Sequence, residues 1–156
     1  MLTLAAICIT ILAYKLLGKE IKPLLEKLEG VDWRSKASDI LDPIKIYANR
    51  VGRMAVRPVL QFYYVLTGNE TTLTEKAMLY AAIIYTVMPA SALPQRVFKL
   101  LGILDEGAVV LYVFNKVRDK ITPSVNAKVD STLEKWFGYE YAVVVSEEKN
   151  KPTNQE

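Results

Sequence analysis

Apolar positions dominate the middle of the chain, and their pattern predicts a helical hairpin over residues 72–121. Residues 73–88 are apolar on nearly every helical face, which is typical of a helix buried on all sides, in protein or in lipid. Thr72 and Glu75 have the spacing of a capping box, in which each side chain bonds to the other residue's backbone N–H. They predict the start of this helix, and Pro89 predicts its end.

The second helix of the hairpin is predicted to be amphipathic. A turn bounded by prolines, residues 89–94, leads toward it, and Asp105 and Glu106 stand where it begins. Acids are favoured there by the unpaired N–H groups and the helix dipole. Charged side chains occupy one side, and apolar side chains recur every four residues on the other, at Val109, Val113, Val117 and Ile121.

Further amphipathic stretches flank the hairpin. Residues 20–29 carry an apolar stripe opposite Lys and Glu residues, and residues 125–137 predict a last helix that Gly138 caps. Residues 139–145 are β-prone without a partner strand, and the rest is polar, so residues 139–156 are expected to form an extended and disordered tail. Residues 19–138 are expected to form a single helical domain.

Residues 1–18 are apolar apart from a few positions, and they predict a hydrophobic anchor helix. The lysines that follow the apolar run favour a cytoplasmic location for the rest of the chain, by the positive-inside rule. Two alternatives stay open: a helix that lies at the interface or packs on the domain, and a cleaved signal peptide. The signal peptide fits least, because no positive charge precedes the run.

A basic helix is predicted to open at Asp42 and Pro43, since Asp is a good N-cap and Pro suits the first helical position. No acid occurs from residue 43 to residue 69, whereas the arginines are spaced to share one helical face. Such a face is typical of a surface that binds anionic lipid headgroups or other phosphate groups, and equally of a face that is simply exposed to solvent. The cations of this candidate lipid- or anion-binding site are Lys45, Arg50, Arg53 and Arg57.

Composition excludes several classes of function. The 156 residues are 51% hydrophobic with a net charge of +3, and no nucleic-acid motif or phosphate-binding glycine loop is present. Histidine is absent, which removes the commonest general base and metal ligand, and the only cysteine, Cys8, lies in an apolar run. We therefore expect no enzymatic activity, no cofactor and no nucleic-acid partner.

Asp105 and Glu106 form the one acid pair that invites a functional interpretation. The two carboxylates could bind a hard cation or contact a partner, helped by backbone oxygens of the proline-bounded turn. Consecutive residues lie about 100° apart on a helix, so they do not form an acid–base dyad. The simpler interpretation is a helix cap with a solvated neighbour.

The same region resembles the YkvA-like family of small bacterial helical-hairpin proteins, whose function is unknown. The resemblance rests on Tyr85-x-x-Met88-Pro89, on Leu93-Pro94, and on Leu101-Gly102-x-x-Asp105-Glu106. It covers about residues 73–114 and implies a helical hairpin at a bacterial cytoplasmic membrane. The family carries acids in the turn, where this chain has Ser91 and Gln95.

Together these patterns predict an all-α protein: an apolar helical hairpin with flanking amphipathic helices and an N-terminal anchor. The favoured function is a non-enzymatic, membrane-associated scaffold or adaptor that binds lipid headgroups or a protein partner. Two alternatives are a soluble helical module that forms a homo-oligomer, and a cation-dependent enzyme or transport component that uses Asp105 and Glu106.

Overall fold

The protein is an all-α bundle in the computed structural model, which describes residues 2–87 and 106–150, with side chains from 4–87 and 107–138. No strand occurs in these ranges, which confirms the predicted fold class. A short 3-10 helix, Arg118–Lys120, separates the last two of the seven α-helices in these ranges. The helices are α1 (Leu2–Leu16), α2 (Lys22–Glu26), α3 (Trp33–Val51), α4 (Arg53–Leu66), α5 (Leu73–Val87), α6 (Glu106–Val117) and α7 (Pro123–Asn150).

Helix α5 is the centre of the bundle, as its apolar pattern predicts. Every residue from 77 to 84 is buried, and α1, α3, α4 and α6 all pack against it. The capping box is present: Glu75 N–H donates to Thr72 Oγ1 at 3.2 Å, and Thr72 N–H donates to Glu75 Oε1 at 3.0 Å. Helix α6 packs against α5 and buries Val109, Val113 and Val117, while the turn of the predicted hairpin lies outside the described residues.

The predicted long apolar anchor helix is not found in the described part of residues 1–18, where helix α1 instead packs in the core. Cys8, Ile9, Ile11 and Leu12 are fully buried, and α1 packs more extensively on α5 than on any other helix. Its 15 residues span about 22 Å, short of the roughly 30 Å of a bilayer's hydrocarbon layer. None of the helices described here is long and apolar enough to cross a membrane. The apolar run is therefore explained by burial in protein.

Helix α3 begins ten residues earlier than the sequence pattern predicts. Asp32 caps it by accepting a hydrogen bond from the Ser35 N–H at 3.4 Å, and Pro43 lies inside the helix rather than at its start. Trp33, Ala37, Ile40, Ile44 and Ala48 form its buried face, with the regular spacing of a helix that packs along one side.

Helix α7 also exceeds its predicted bounds. It continues through Gly138 to Asn150, so the expected cap at Gly138 and the extended segment after it are not observed. Residues 151–156 lie outside the described part. Val129 and Leu133 point into the core, and a row of polar contacts joins α7 to α4: Arg57 to Asp130 at 2.6 Å, Gln61 to Asn126 at 3.0 Å, and Tyr64 to Thr132. We call this row the α4–α7 seam.

Candidate functional site

Gly52 forms a sharp junction between α3 and α4, and we call the surrounding residues, 45–57, the elbow. Its φ of +92° lies in a region that favours glycine, because a Cβ would strain the backbone there. The Gly52 N–H donates to the Ala48 carbonyl at 2.8 Å, and its own carbonyl accepts from the Val56 N–H at 3.2 Å. One helix therefore ends and the next begins at a single residue, and the helical register changes between them.

The predicted basic face is divided by this junction. Lys45 and Arg50 lie on α3 and are exposed, whereas Arg53 and Arg57 lie on α4 and are partly buried. Because Gly52 interrupts the helix, the spacing of the three arginines does not place them on one helical face. That part of the prediction is wrong, although the four cations do remain within the elbow.

The cations of the elbow differ in their surroundings. The guanidinium of Arg50 lies over the ring of Tyr47, 5.6 Å from its centroid, which is a cation–π contact that leaves the side chain exposed. Arg57 donates to the Asp130 carboxylate of the α4–α7 seam at 2.6 Å, so its charge is compensated within the fold. Lys45 and Arg50 are thus the elbow cations best placed to meet an anion from outside.

Large apolar side chains are exposed beside these cations. Met54 is 87% exposed, Ile46 is 69% exposed, and Leu111 of α6 is 61% exposed. Met54 lies two residues after Gly52, in the first turn of α4, where its side chain is turned to solvent. Gly52 was the available signal, since a glycine inside a helical pattern can mark a C-terminal cap.

A cavity of about 490 Å³ lies next to the exposed apolar side chains. It lies between α3, α4, α5 and α6 and is open to solvent, and its lining is mostly apolar. Its volume falls within the roughly 300–1,000 Å³ typical of small-molecule sites. The lining residues are Tyr47, Ala55, Pro58, Val59, Thr86, Gly107, Val110, Leu111 and Phe114.

A second, smaller cavity of about 260 Å³ lies where the α4–α5 loop meets the end of α6. Lys120 occupies this region, where it donates to the Glu75 carboxylate and, at 2.7 Å, to the Glu70 carbonyl. Burial opposes ionisation of Glu75, but hydrogen bonds from Lys120 and Thr72 outweigh it and hold the pKa of Glu75 below its ordinary value of 4.5. These contacts are internal and structural.

Reactive side chains are poorly placed for chemistry. Burial raises the pKa of the Cys8 thiol to about 12, so the thiolate is scarce at neutral pH. Burial likewise raises the pKa of Tyr80 to about 12, and its ring makes an edge contact with Trp33 at 6.0 Å between centroids. In the part of the chain that the structure describes, no group of three or more Asp, Glu, Cys or His side chains is arranged to hold a metal ion.

The candidate cation site at Asp105 and Glu106 cannot be placed with the others. Asp105 and the turn at residues 89–94 lie outside the described residues, and Glu106 is described only as the first residue of α6. A role for these acids stays a prediction.

Comparison with known proteins gives no relative from which a function could be transferred. No protein family, curated protein or solved structure matches this chain. The resemblance to YkvA-like proteins therefore stays a prediction as well.

Proposed function

We propose that this protein is a non-catalytic, membrane-associated helical module that docks its elbow on anionic lipid headgroups, at a bacterial cytoplasmic membrane. The observation that carries the proposal is that the highly exposed Met54 and the exposed cations Lys45 and Arg50 lie on either side of the Gly52 junction. Exposed apolar side chains next to basic ones are the usual composition of a surface that lies in the headgroup region.

Charge supports an anionic surface as the partner. Between residues 43 and 69 the chain contains four cations and no acid. Each Lys or Arg near an anionic leaflet contributes about 1 kcal/mol. Lys45 and Arg50 together therefore contribute about 2 kcal/mol, which gives a reversible and salt-sensitive attachment rather than a permanent one.

The exposed apolar side chains supply the second part of the interaction. Fully burying a side chain such as methionine is worth about 1.5–3 kcal/mol, and Met54 has most of its surface available for this. Ile46 and Leu111 add apolar surface near the same place. Membrane contact would thus depend on charge and on shallow insertion together.

A non-catalytic role is supported by the chemistry that the chain offers. It contains no histidine, and its single cysteine is buried with a raised pKa. The absence of a usual acid–base or nucleophilic pair leaves recognition as the simplest activity.

Vesicle co-sedimentation of the full chain tests the proposal. We expect binding to vesicles that contain phosphatidylglycerol, little binding to phosphatidylcholine alone, and release by salt. The double substitution Lys45→Gln with Arg50→Gln should weaken binding roughly 30-fold, from the loss of about 2 kcal/mol.

The matched control removes two exposed cations elsewhere, through Lys27→Gln with Arg34→Gln. It changes the net charge equally and should keep most of the binding. Equal losses in both variants, or no binding by the native chain, would contradict the proposal. A lipid-independent oligomer that Met54→Ser dissociates would instead show that a second copy of the chain covers this surface.

A further inference from the structure

We propose that the cavity of about 490 Å³ beside the elbow accepts one acyl chain of an anionic phospholipid, with the headgroup at Arg50. This deepens the proposed function and rests on it, because it names a single bound lipid rather than a bilayer surface as the ligand.

The cavity changes from exposed to buried along its depth. Ala55, Gly107 and Leu111 are exposed and mark the mouth. Val59 and Thr86 are buried and form the floor, while partly buried apolar residues such as Phe114 line the wall between them. This arrangement describes a blind cleft that is open to solvent at one end.

The floor offers hydrocarbon and no accessible polar atom. The Thr86 hydroxyl is hidden from solvent and has no hydrogen-bond partner among the described residues, so the small accessible part of Thr86 is not its oxygen. Val59 supplies the rest of the buried surface. None of the described lining residues carries a charge, so a charged group of a ligand would lose its hydration in the depth of the cleft.

The mouth, by contrast, lies beside positive charge. Tyr47 lines the cavity, and the Arg50 guanidinium lies over its ring. An apolar cleft with a cation beside its lining matches a ligand that places an alkyl chain in the cleft and an anionic head near Arg50, as one acyl chain and the headgroup of an anionic phospholipid would.

Ala55 allows the cleft to be closed without disturbing the core, because this residue is exposed at the mouth. The substitution Ala55→Trp places a large ring over the opening and leaves every cation in place. Ala127→Trp is the matched control, since Ala127 is an exposed alanine on α7 and is not part of the lining.

Isothermal titration with lysophosphatidylglycerol below its critical micelle concentration tests the inference on the full chain. We expect saturable binding of one molecule per chain, at least tenfold weaker binding in Ala55→Trp, and unchanged binding in Ala127→Trp. Lysophosphatidylcholine of the same chain length should bind more weakly. Non-saturating binding, no binding, or equal affinity in the two tryptophan variants would overturn the proposal.

Two further measurements separate this inference from the proposed function. The native chain should bind phosphatidylglycerol vesicles and also a single lysophosphatidylglycerol molecule, and the two results together support both statements. If the native chain binds vesicles but no single lipid, only the cavity assignment fails. Titration with palmitate identifies the source of the alkyl chain, and tighter binding of palmitate than of lysophosphatidylglycerol would overturn the assignment to phospholipid.

Discussion

Helix α4 makes two kinds of contact with its neighbours. Apolar contacts supply most of the stability of the bundle, and polar contacts fix how the helices are oriented. The apolar side chains of α4, among them Val56, Leu60 and Phe62, are fully buried, and the helix packs closely against α5. Toward α7 it presents the polar stripe of the α4–α7 seam, whose members Arg57, Gln61 and Tyr64 follow helical spacing.

The two contacts make different contributions. Burial of apolar surface is non-directional and worth about 25 cal/mol per Å², so the α5 side supplies most of the stability. Hydrogen bonds and partly exposed ion pairs contribute less, because each replaces an interaction with water. Their geometry is directional, and three specific partners fix how α7 lies on α4. The core should therefore be sensitive to volume, and the seam to salt.

The largest effect is expected from creating a cavity in α1. Leu12→Ala removes a fully buried side chain and should lower the free energy of unfolding by about 2–5 kcal/mol, measured by urea denaturation. Leu17→Ala, just beyond α1, is the matched control, because that leucine is 56% exposed and should cost no more than about 0.5 kcal/mol. Equal effects would show that α1 is not part of the core.

This experiment also addresses why the sequence misjudged α1. Its apolar run is equally compatible with lipid and with protein, and only the partner decides between them. Helix α5 carries a similar run, yet its burial, its capping box and the inward valines of α6 were all predictable, because these depend on local spacing. Periodicity identifies a buried face without identifying what buries it.

The elbow shows a second limit. From the sequence alone, Gly52 looks like a glycine that is tolerated inside a basic helix. Its positive φ depends on how α3 and α4 pack, which the local sequence does not show. The helix is interrupted at this residue, so the arginines on its two sides belong to different helices. Asp130, which compensates Arg57, is 73 residues away in sequence, and no local pattern links the two. The sequence identifies the candidate cations, but it does not predict which groups contact each of them in the fold.

An intermediate effect is expected at Glu75, at the start of α5. Glu75→Gln keeps the capping-box geometry but loses the charged contact with Lys120, and it should cost about 1 kcal/mol at neutral pH. Exposed Glu134→Gln is the control. A loss of stability in both variants would mean that net charge, and not this contact, is responsible.

The same variant has a defined pH dependence. Because the pKa of Glu75 is lower in the folded chain, its charge stabilises the fold above the ordinary value of 4.5. That contribution is lost as the pH falls through the lowered pKa. Urea titrations at several acid pH values should show a shallower loss of stability in Glu75→Gln than in the native chain, and parallel curves would contradict the assignment.

A smaller effect is expected for the ion pair of the α4–α7 seam. A double-mutant cycle with Arg57→Ala and Asp130→Ala should give a coupling of about 0.2–1 kcal/mol, because both side chains are more than a third exposed. The coupling should shrink further in high salt. A coupling well above this range, or one insensitive to salt, would show that the seam behaves like the buried core.

The sharpest comparison, again with a small expected effect, comes from removing one hydroxyl on each side. Tyr80→Phe deletes a buried hydroxyl that has no hydrogen-bond partner among the described residues, so it should be neutral or slightly stabilising. Tyr64→Phe deletes the hydroxyl that bonds to Thr132 in the seam, and it should cost about 1 kcal/mol. Thermal and urea unfolding of the two variants measure the difference. The two substitutions are chemically identical, so a difference of this sign can come only from the surroundings. The reverse order would mean that the core, rather than the seam, contains the essential polar contact.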